Sequence, residues 1–512
     1  MLPTGCTRCV FVHDKRILLA NSITGIDYSM IGILLALTVR GTVETVRKEE
    51  SAMVDTKTDR QDMELTKDAS WQMSDFKAYP EYDMLVKQWA WFQDQKIGLL
   101  LHWGLYAQAG IVESWQLSDA DRWARGKTPF RPNMHQLKSD YWSLAEKFDP
   151  VRFDPQVWAR LFRTAGIRYA ILTTKHHDGF NMFDTQYSKF KVTNPRFPYA
   201  AAANADIFGQ FANAMREVGI AVGAYYSKAD WHHSDYWRPD GKPKTRNADF
   251  NPVEDSKRWQ RYVDFVHNQL VEITTKYGPL GMLWLDAGWV GDNREPLNLE
   301  RVITKIRMSQ PTMLTVDRTM GGRFENYVTP ERQIPKLEKR PALPWESNIP
   351  LADNWGYVPH DHYKPFKEVL LSILQVVSLG GNIVLGVGPR PDGRIPQQAV
   401  KRLEQLGGWL DLNGEGIFGT RPLSDSILRR AQHLGMAISQ SSDMVYVFPL
   451  KQRSSAIDLE VLGIANQIGS ARRLGTKILY TIKDNVVMLP GSLRQSLFPG
   501  IALTKKIAGQ IL

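Results

Sequence analysis

Asp286 closes the apolar run LWLDAGW and stands between Trp284 and Trp289. A carboxylate fixed at the end of a rigid strand can act as a nucleophile, although an aspartate that caps a helix after a strand is the plainer reading. Two glutamates further on lie in settings that suit proton transfer. Glu331 follows a proline in NYVTPERQIP, a loop able to hold a carboxyl over a cleft. Glu346 follows Trp345 in PWESN, where apolar burial would raise its pKa as a general acid requires. His102, His176 and His177 also end apolar runs, and imidazoles at strand ends are frequent zinc ligands. Adjacent strand residues point to opposite faces, however, so His176 and His177 are not expected to share an ion. No further histidine or carboxylate with metal-ligand spacing completes a set, and no metal is expected. Arg318, in VDR, reads either as a site residue or as half of an internal salt bridge, for instance with Asp317.

These side chains need elements to hold them. From about residue 85 onward, short apolar runs alternate with longer amphipathic stretches. KIGLLLHW (96–103), YAILTTKH (169–176), IAVGAYYS (220–227), GMLWLDAG (281–288), MLTVDR (313–318) and NIVLGVGP (382–389) have the continuous apolar character of strands buried on both faces. Between them, helical patterns cover Trp158–Ala165, Asp206–Val218 and Ser256–Tyr277. Alternation of this kind predicts an α/β domain. The reactive side chains gather at the C-terminal edges of the runs, where (β/α)₈ barrels build their active sites. No Gly-x-Gly-x-x-Gly turn follows the first run, which argues against a dinucleotide-binding sheet, and the glycines of GGNIVLGVGP lack the Gly-Lys-Ser/Thr ending of a phosphate loop.

Three segments are expected. Residues 76–422 form a (β/α)₈-type, TIM-like catalytic domain. Residues 423–512 form a small β-sandwich, because MVYVFPL, AIDLEVLG, KILYTIKD and NVVMLPG follow one another with turns and no comparable helical pattern. Residues 1–75 read as a leader: the apolar stretch Met30–Val39 is too short to span a bilayer and fits a signal-peptide core, pointing to export. The only cysteines, Cys6 and Cys9, lie in that leader, so no disulfide holds the downstream fold. The net charge of +10 is spread along the chain without a basic arm or finger motif, which argues against a nucleic-acid partner.

KIGLLLHWG, YAILTTKHHDGFNMFDTQYS, GAYYSKADW, LWLDAGW, PWESNIPLADNWGY, GGNIVLGVGPRPDG and NGEGIFGTRP occur in the order in which their counterparts occur in glycoside hydrolase family 29. Over roughly residues 85–422 the chain resembles that family, the retaining α-L-fucosidases. The resemblance implies that Asp286 is the nucleophile and that either Glu331 or Glu346 is the acid/base, with Glu331 slightly ahead. It implies that His102, Glu113, Trp115, His176, His177, Tyr226 and Trp284 contact the fucose unit, and that Arg318 lies toward the leaving group. The implied activity is exo-acting hydrolysis of terminal α-L-fucose from a fucosylated glycan, without a cofactor. Gly386 departs from the family pattern, standing where asparagine is common.

Overall fold

The computed structural model describes residues 71–506 apart from 127–128, 241, 452–453 and 492–495. Residues 1–70 of the leader, with its apolar stretch, Cys6 and Cys9, lie outside the described residues.

The apolar runs become parallel strands. They are β1 (Ile97–Leu101), β2 (Tyr169–Lys175), β3 (Ala221–Ser227), β4 (Met282–Asp286), β5 (Leu314–Asp317), β6 (Glu346–Pro350) and β7 (Asn382–Val387). They form one sheet in the order β5-β4-β3-β2-β1-β7-β6. Nearly every strand residue is buried, as a sheet covered on both faces requires. Strand β6 comes from the polar stretch ESNIP, which the apolar pattern did not mark. Helices pack on the outside, among them Pro155–Thr164, Ile207–Glu217, Ser256–Lys276 and Phe366–Ser378. The first three are each started by an aspartate, Asp154, Asp206 or Asp255, whose side chain accepts backbone N–H bonds from the first turn.

The expected eightfold closed ring is corrected to a curled sheet of seven strands that is not closed by a ladder between β5 and β6. Residues 326–332 run between them. Glu346 N–H donates to Val328 O at 2.9 Å and Arg332 N–H to Asn348 O at 2.8 Å, so this segment lies parallel to β6. Toward β5 it is tied chiefly through Asn326, whose N–H donates to Thr315 O and whose side-chain oxygen accepts from Thr315 N–H. In place of an eighth strand the chain has a segment joined to β6 by isolated bridges, and this segment delivers Glu331 to the open end of the sheet.

Downstream, a helix at Asp425–Leu434 that was not anticipated precedes the antiparallel strands. They are β8 (Met436–Gln440), β9 (Met444–Pro449), β10 (Ala456–Asp458), β11 (Ile468–Arg473), β12 (Leu479–Tyr480), β13 (Ile482–Lys483), β14 (Val486–Met488) and β15 (Ile501–Lys505). Two sheets result, β12-β11-β15-β9-β8 and β10-β14-β13. The larger docks on the barrel helices, where Ser378 Oγ accepts from Ile438 N–H at 3.0 Å and Ser439 Oγ donates to Gly416 O at 2.7 Å. No helix among the described residues is long and apolar enough to cross a membrane.

Candidate active site

Asp286 is the last residue of β4, at the open C-terminal end of the sheet, and is 7% exposed. Tyr225 Oη donates to Asp286 Oδ2 at 2.5 Å and Arg318 Nη1 to Asp286 Oδ1 at 3.1 Å. His177 Nε2 lies 3.9 Å from Oδ2. Burial alone would raise the carboxyl pKa, but the Arg318 charge, with the neighbouring histidines and the Tyr225 hydroxyl, outweighs it and holds Asp286 well below the usual carboxylate range. Asp286 is therefore an anion held in place on both oxygens, with its basicity suppressed and its position fixed.

Two expectations fail on strand geometry. Tyr226 does not face this site: its hydroxyl donates to Gln269 Oε1 on the helix Ser256–Lys276 and accepts from Lys175. Successive side chains on β3 point to opposite faces, and it is Tyr225 that points inward, packing against His102, His176 and Trp284 with ring centroids 5.3, 5.8 and 5.3 Å away. The alternation argument also misplaces the two histidines. Strand β2 ends at Lys175, so His176 and His177 occupy the turn beyond it and face the same cavity, their rings 4.1 Å apart. With Asp286 they place three potential ligand atoms within 4.8 Å of one another. The donor set suits an ion poorly, however. The Nδ1 bonds of His176 to Ser114 and of His177 to Ser227 leave their Nε2 atoms available, but both oxygens of Asp286 are taken, one by a guanidinium cation that would repel a second cation. Burial pushes His102 and His176 down to about 3 and His177 well below its ordinary value, so all three are neutral imidazoles at physiological pH.

Around them the cavity is aromatic. Trp115 packs 4.8 Å from His177 and 5.8 Å from Trp289, with the Arg246 guanidinium over its ring. Glu113, two residues earlier, is buried, and its Oε1 accepts the Gly356 N–H at 2.6 Å. Burial raises its pKa to about 7. Asp178 does no more than shape the turn after β2, accepting from the Tyr141 hydroxyl and the Phe180 N–H.

Arg318 follows β5 and holds a second carboxylate, because its Nη2 pairs with Glu331 Oε2. The other Glu331 oxygen accepts the Trp355 indole N–H at 3.0 Å. Arg318 is thus half of an internal salt bridge, but its partners are Asp286 and Glu331, while Asp317 pairs with Lys228. Each of the three is followed by a residue with left-handed backbone: Ala287 (φ 69), Thr319 (φ 63) and Arg332 (φ 54). Non-glycine residues there cost of order 1 kcal/mol each, and such strain concentrates where side chains must be aimed.

Trp355 was not foreseen, and its signal was the departure at Gly386. A Cβ at Gly386 would stand 2.4 Å from the Trp355 ring, so glycine makes the room through which the indole reaches Glu331. Gly386→Ala is expected to destabilise the fold by about 1–3 kcal/mol through this overlap. Thermal unfolding checks it, and a variant that melts like the parent would show that the ring has slack to move.

Glu346 lies elsewhere. It is the first residue of β6, paired in register with Asn382 at the start of β7, whereas the mouth of the cavity lies beyond Val387 at the other end of that strand. At about 3.3 Å per residue this puts Glu346 roughly 15 Å below the rim. It is fully buried, accepts the Tyr169 hydroxyl at 2.6 Å, and burial raises its pKa to about 8.

Residues 65–415 match the sequence profile of the family described as alpha-L-fucosidase. The alpha-L-fucosidase of Dictyostelium discoideum is 25% identical over 410 residues, covering 76% of this chain and 83% of its own. Tissue alpha-L-fucosidase of Homo sapiens is 26% identical over 354 residues, covering 65% and 70%. Among solved structures, alpha-L-fucosidase isoenzyme 1 from Paenibacillus thiaminolyticus is 28% identical with a TM-score of 0.68, covering 83% of this chain and all of that one. A buried carboxylate at the strand ends, ringed by neutral histidines and tryptophans, sits inside the matched region, and the chain belongs to the alpha-L-fucosidase family of glycoside hydrolases.

Proposed function

We propose that this protein is an exo-acting retaining α-L-fucosidase that removes terminal α-L-fucose from fucosylated glycans in two displacements. The observation that carries the reading is the grip of Arg318 on Asp286 with one terminal nitrogen and on Glu331 with the other. Carboxyls held on adjacent nitrogens of one guanidinium stand on the order of 5 Å apart, the spacing of retaining enzymes; inverting enzymes leave about 6.5–9.5 Å for a water. Asp286 attacks the anomeric carbon and forms a β-fucosyl ester. Glu331, carrying a proton for this step, gives it to the departing oxygen and then takes one from the water that releases fucose. A neutral Glu331 binds Arg318 less tightly than the anion does, which frees it to turn toward the glycosidic oxygen. His102, His176, His177, Glu113, Trp115 and Tyr225 read the hydroxyls and faces of the sugar; with Nδ1 of His176 and of His177 held by Ser114 and Ser227, Nε2 is the nitrogen each of these neutral rings has left for the sugar. Nothing in this scheme requires a cofactor.

The test is the anomeric configuration of the first sugar released from 4-nitrophenyl α-L-fucoside, followed by proton NMR before mutarotation. The α-anomer is expected, at a rate indifferent to a chelator. First appearance of the β-anomer would overturn the two-step scheme, and loss of rate with chelator would return the His176, His177 and Asp286 cluster to consideration as a metal site.

A further inference from the structure

Glu346 takes no part in the chemistry proposed above, yet it is a fully buried carboxyl in the core of a catalytic barrel. The fold makes special provision to hold it. Tyr169 begins β2 and its ring crosses over Gly98 of the neighbouring strand, where a Cβ would stand 2.3 Å from the ring carbons, to bring its hydroxyl to Glu346 Oε2 three strands away. The Trp284 indole N–H lies near enough to favour the charged carboxyl. Trp284 Nε1 and Glu346 Oε1 are both buried, and neither makes a hydrogen bond of regular geometry among the described residues.

Trp284 lies two residues below Asp286 on β4 and is 2% exposed. Both groups that bond Asp286 rest on it. The Tyr225 ring stacks on the Trp284 ring at 5.3 Å with 25° between planes, and the Arg318 guanidinium sits 5.1 Å above it. A continuous column therefore runs from the bottom of the barrel to the reacting centre, through Tyr169, Glu346, Trp284, the pair Tyr225 and Arg318, and Asp286.

We propose that Glu346 is a positioning residue for the fucosidase reaction, its carboxyl anchored by Tyr169 and bracing the Trp284 indole on which Tyr225 and Arg318 are set against Asp286. The inference rests on the assignment of Asp286 given above. The neutral carboxyl does this work. The charged or titratable groups near Glu346 are Tyr169, Tyr327 and Arg318; the Tyr169 hydroxyl, the Trp284 indole N–H and the Arg318 charge all favour its ionisation, and burial opposes them. Burial dominates and places the pKa at about 8. A carboxyl raised in the folded state stabilises fully below its unfolded value of about 4.5, and that contribution is lost as pH rises through about 8. Above that pH an anion would stand beneath Trp284, drawing Arg318 downward and away from Asp286.

The experiment compares the wild type with Glu346→Gln, Glu346→Ala and Tyr169→Phe. Three quantities are read: kcat/KM for 4-nitrophenyl α-L-fucoside from pH 4 to 9.5, affinity for a fucose-configured iminosugar by calorimetry, and melting temperature. Glu346→Gln keeps the shape and one acceptor oxygen and loses the titration. It is expected to hold the wild-type kcat/KM near pH 6 within about threefold and to lose less activity than the wild type above pH 8. Glu113 and Glu325, raised to about 7 and about 8, titrate in the same window, so the difference between the two profiles is the measured quantity. Glu346→Ala is expected to lower kcat/KM on the order of tenfold or more at pH 6, to weaken iminosugar binding, and to move the acid limb upward as Arg318 and Tyr225 loosen around Asp286. Tyr169→Phe removes only the anchor and should show the same changes in smaller measure, which keeps the test open if the alanine variant does not fold. A purely structural Glu346 would lower the melting temperature and leave the profile of the folded enzyme unmoved; that result, or a Gln variant that declines above pH 8 as the wild type does, overturns the proposal. An inactive wild type that still binds the iminosugar would count against the proposed reaction instead, and the binding arm would still decide the role of Glu346.

Discussion

Asp286→Gly is expected to lower kcat for 4-nitrophenyl α-L-fucoside on the order of 10⁴-fold or more, which at about 1.36 kcal/mol per tenfold is roughly 5.5 kcal/mol of transition-state stabilisation. The size follows from what the residue does: with the carboxylate removed the first displacement has no acceptor, and water cannot be held in its place by Tyr225 and Arg318 with the same reactivity. The fold is expected to survive the change. Arg318 keeps Glu331 as its partner, so no bare guanidinium is left in the core, and the glycine occupies a strand end already followed by a left-handed residue at Ala287. Azide, small enough to enter the space left by the side chain, should restore part of the rate and attack from the side Asp286 occupied. The product would then be β-L-fucosyl azide, with the configuration inverted. Circular dichroism and iminosugar binding show whether the variant is folded. A folded variant with a tenth of the wild-type rate would remove Asp286 from the mechanism.

What could be read from the residues depended on whether the informative signal was local. The place of Asp286 at a strand end was legible because an apolar strand that ends in an acid flanked by tryptophans is a local pattern, and the parallel α/β sheet, though not its open edge, was legible because six such strands alternate with amphipathic helices. The choice between Tyr225 and Tyr226 was not. Both faces of a parallel sheet are buried, so neither neighbour is marked as inward by its polarity, and one residue of phase moves the hydroxyl from the cavity to the back of the sheet. The same single residue decided the histidines, because β2 stops at Lys175 and the turn beyond it frees His177 from alternation. Strand β6 has no apolar signature because ESNIP buries Glu346, Ser347 and Asn348, the first two held by the Tyr169 hydroxyl and the Gln333 carbonyl. The reach of Trp355 to Glu331 depends on a glycine 31 positions away, which its own neighbourhood does not reveal. The helix Asp425–Leu434 is a different case: Ile427, Leu428, Ala431 and Leu434 fall on one helical face, so its pattern was present and simply overlooked beside the strands that follow.

Glu331→Gly separates the two candidate acids by a signature that stability cannot imitate. With 4-nitrophenol as leaving group the first step needs little protonation, because the phenolate is already stable near neutral pH. The variant should therefore keep kcat/KM within about tenfold of the wild type for this substrate. Release of the fucosyl-enzyme does need the base, so kcat should fall about 10²–10⁴-fold, the usual contribution of a positioned acid or base, and KM should fall with it as the intermediate accumulates. For a fucosyl oligosaccharide, whose leaving alcohol must be protonated, kcat/KM itself should drop by a similar factor. Azide needs no base. It should discharge the intermediate and give α-L-fucosyl azide with configuration retained, opposite to the product of Asp286→Gly. Arg318 limits how far the variant loosens, since it keeps Asp286 and continues to lie over Trp284. Glu346→Gly run alongside should show neither the divergence between aryl and sugar leaving groups nor rescue by azide, because its carboxyl lies at the opposite end of β6 from the cavity mouth. Were the rescue to follow Glu346 and leave Glu331 unaffected, the acid/base would have to reach the substrate from beneath Trp284. The column of packed rings from Tyr169 to Asp286 would then have to open during turnover, and the grip of Arg318 on Glu331 would be a purely structural bond.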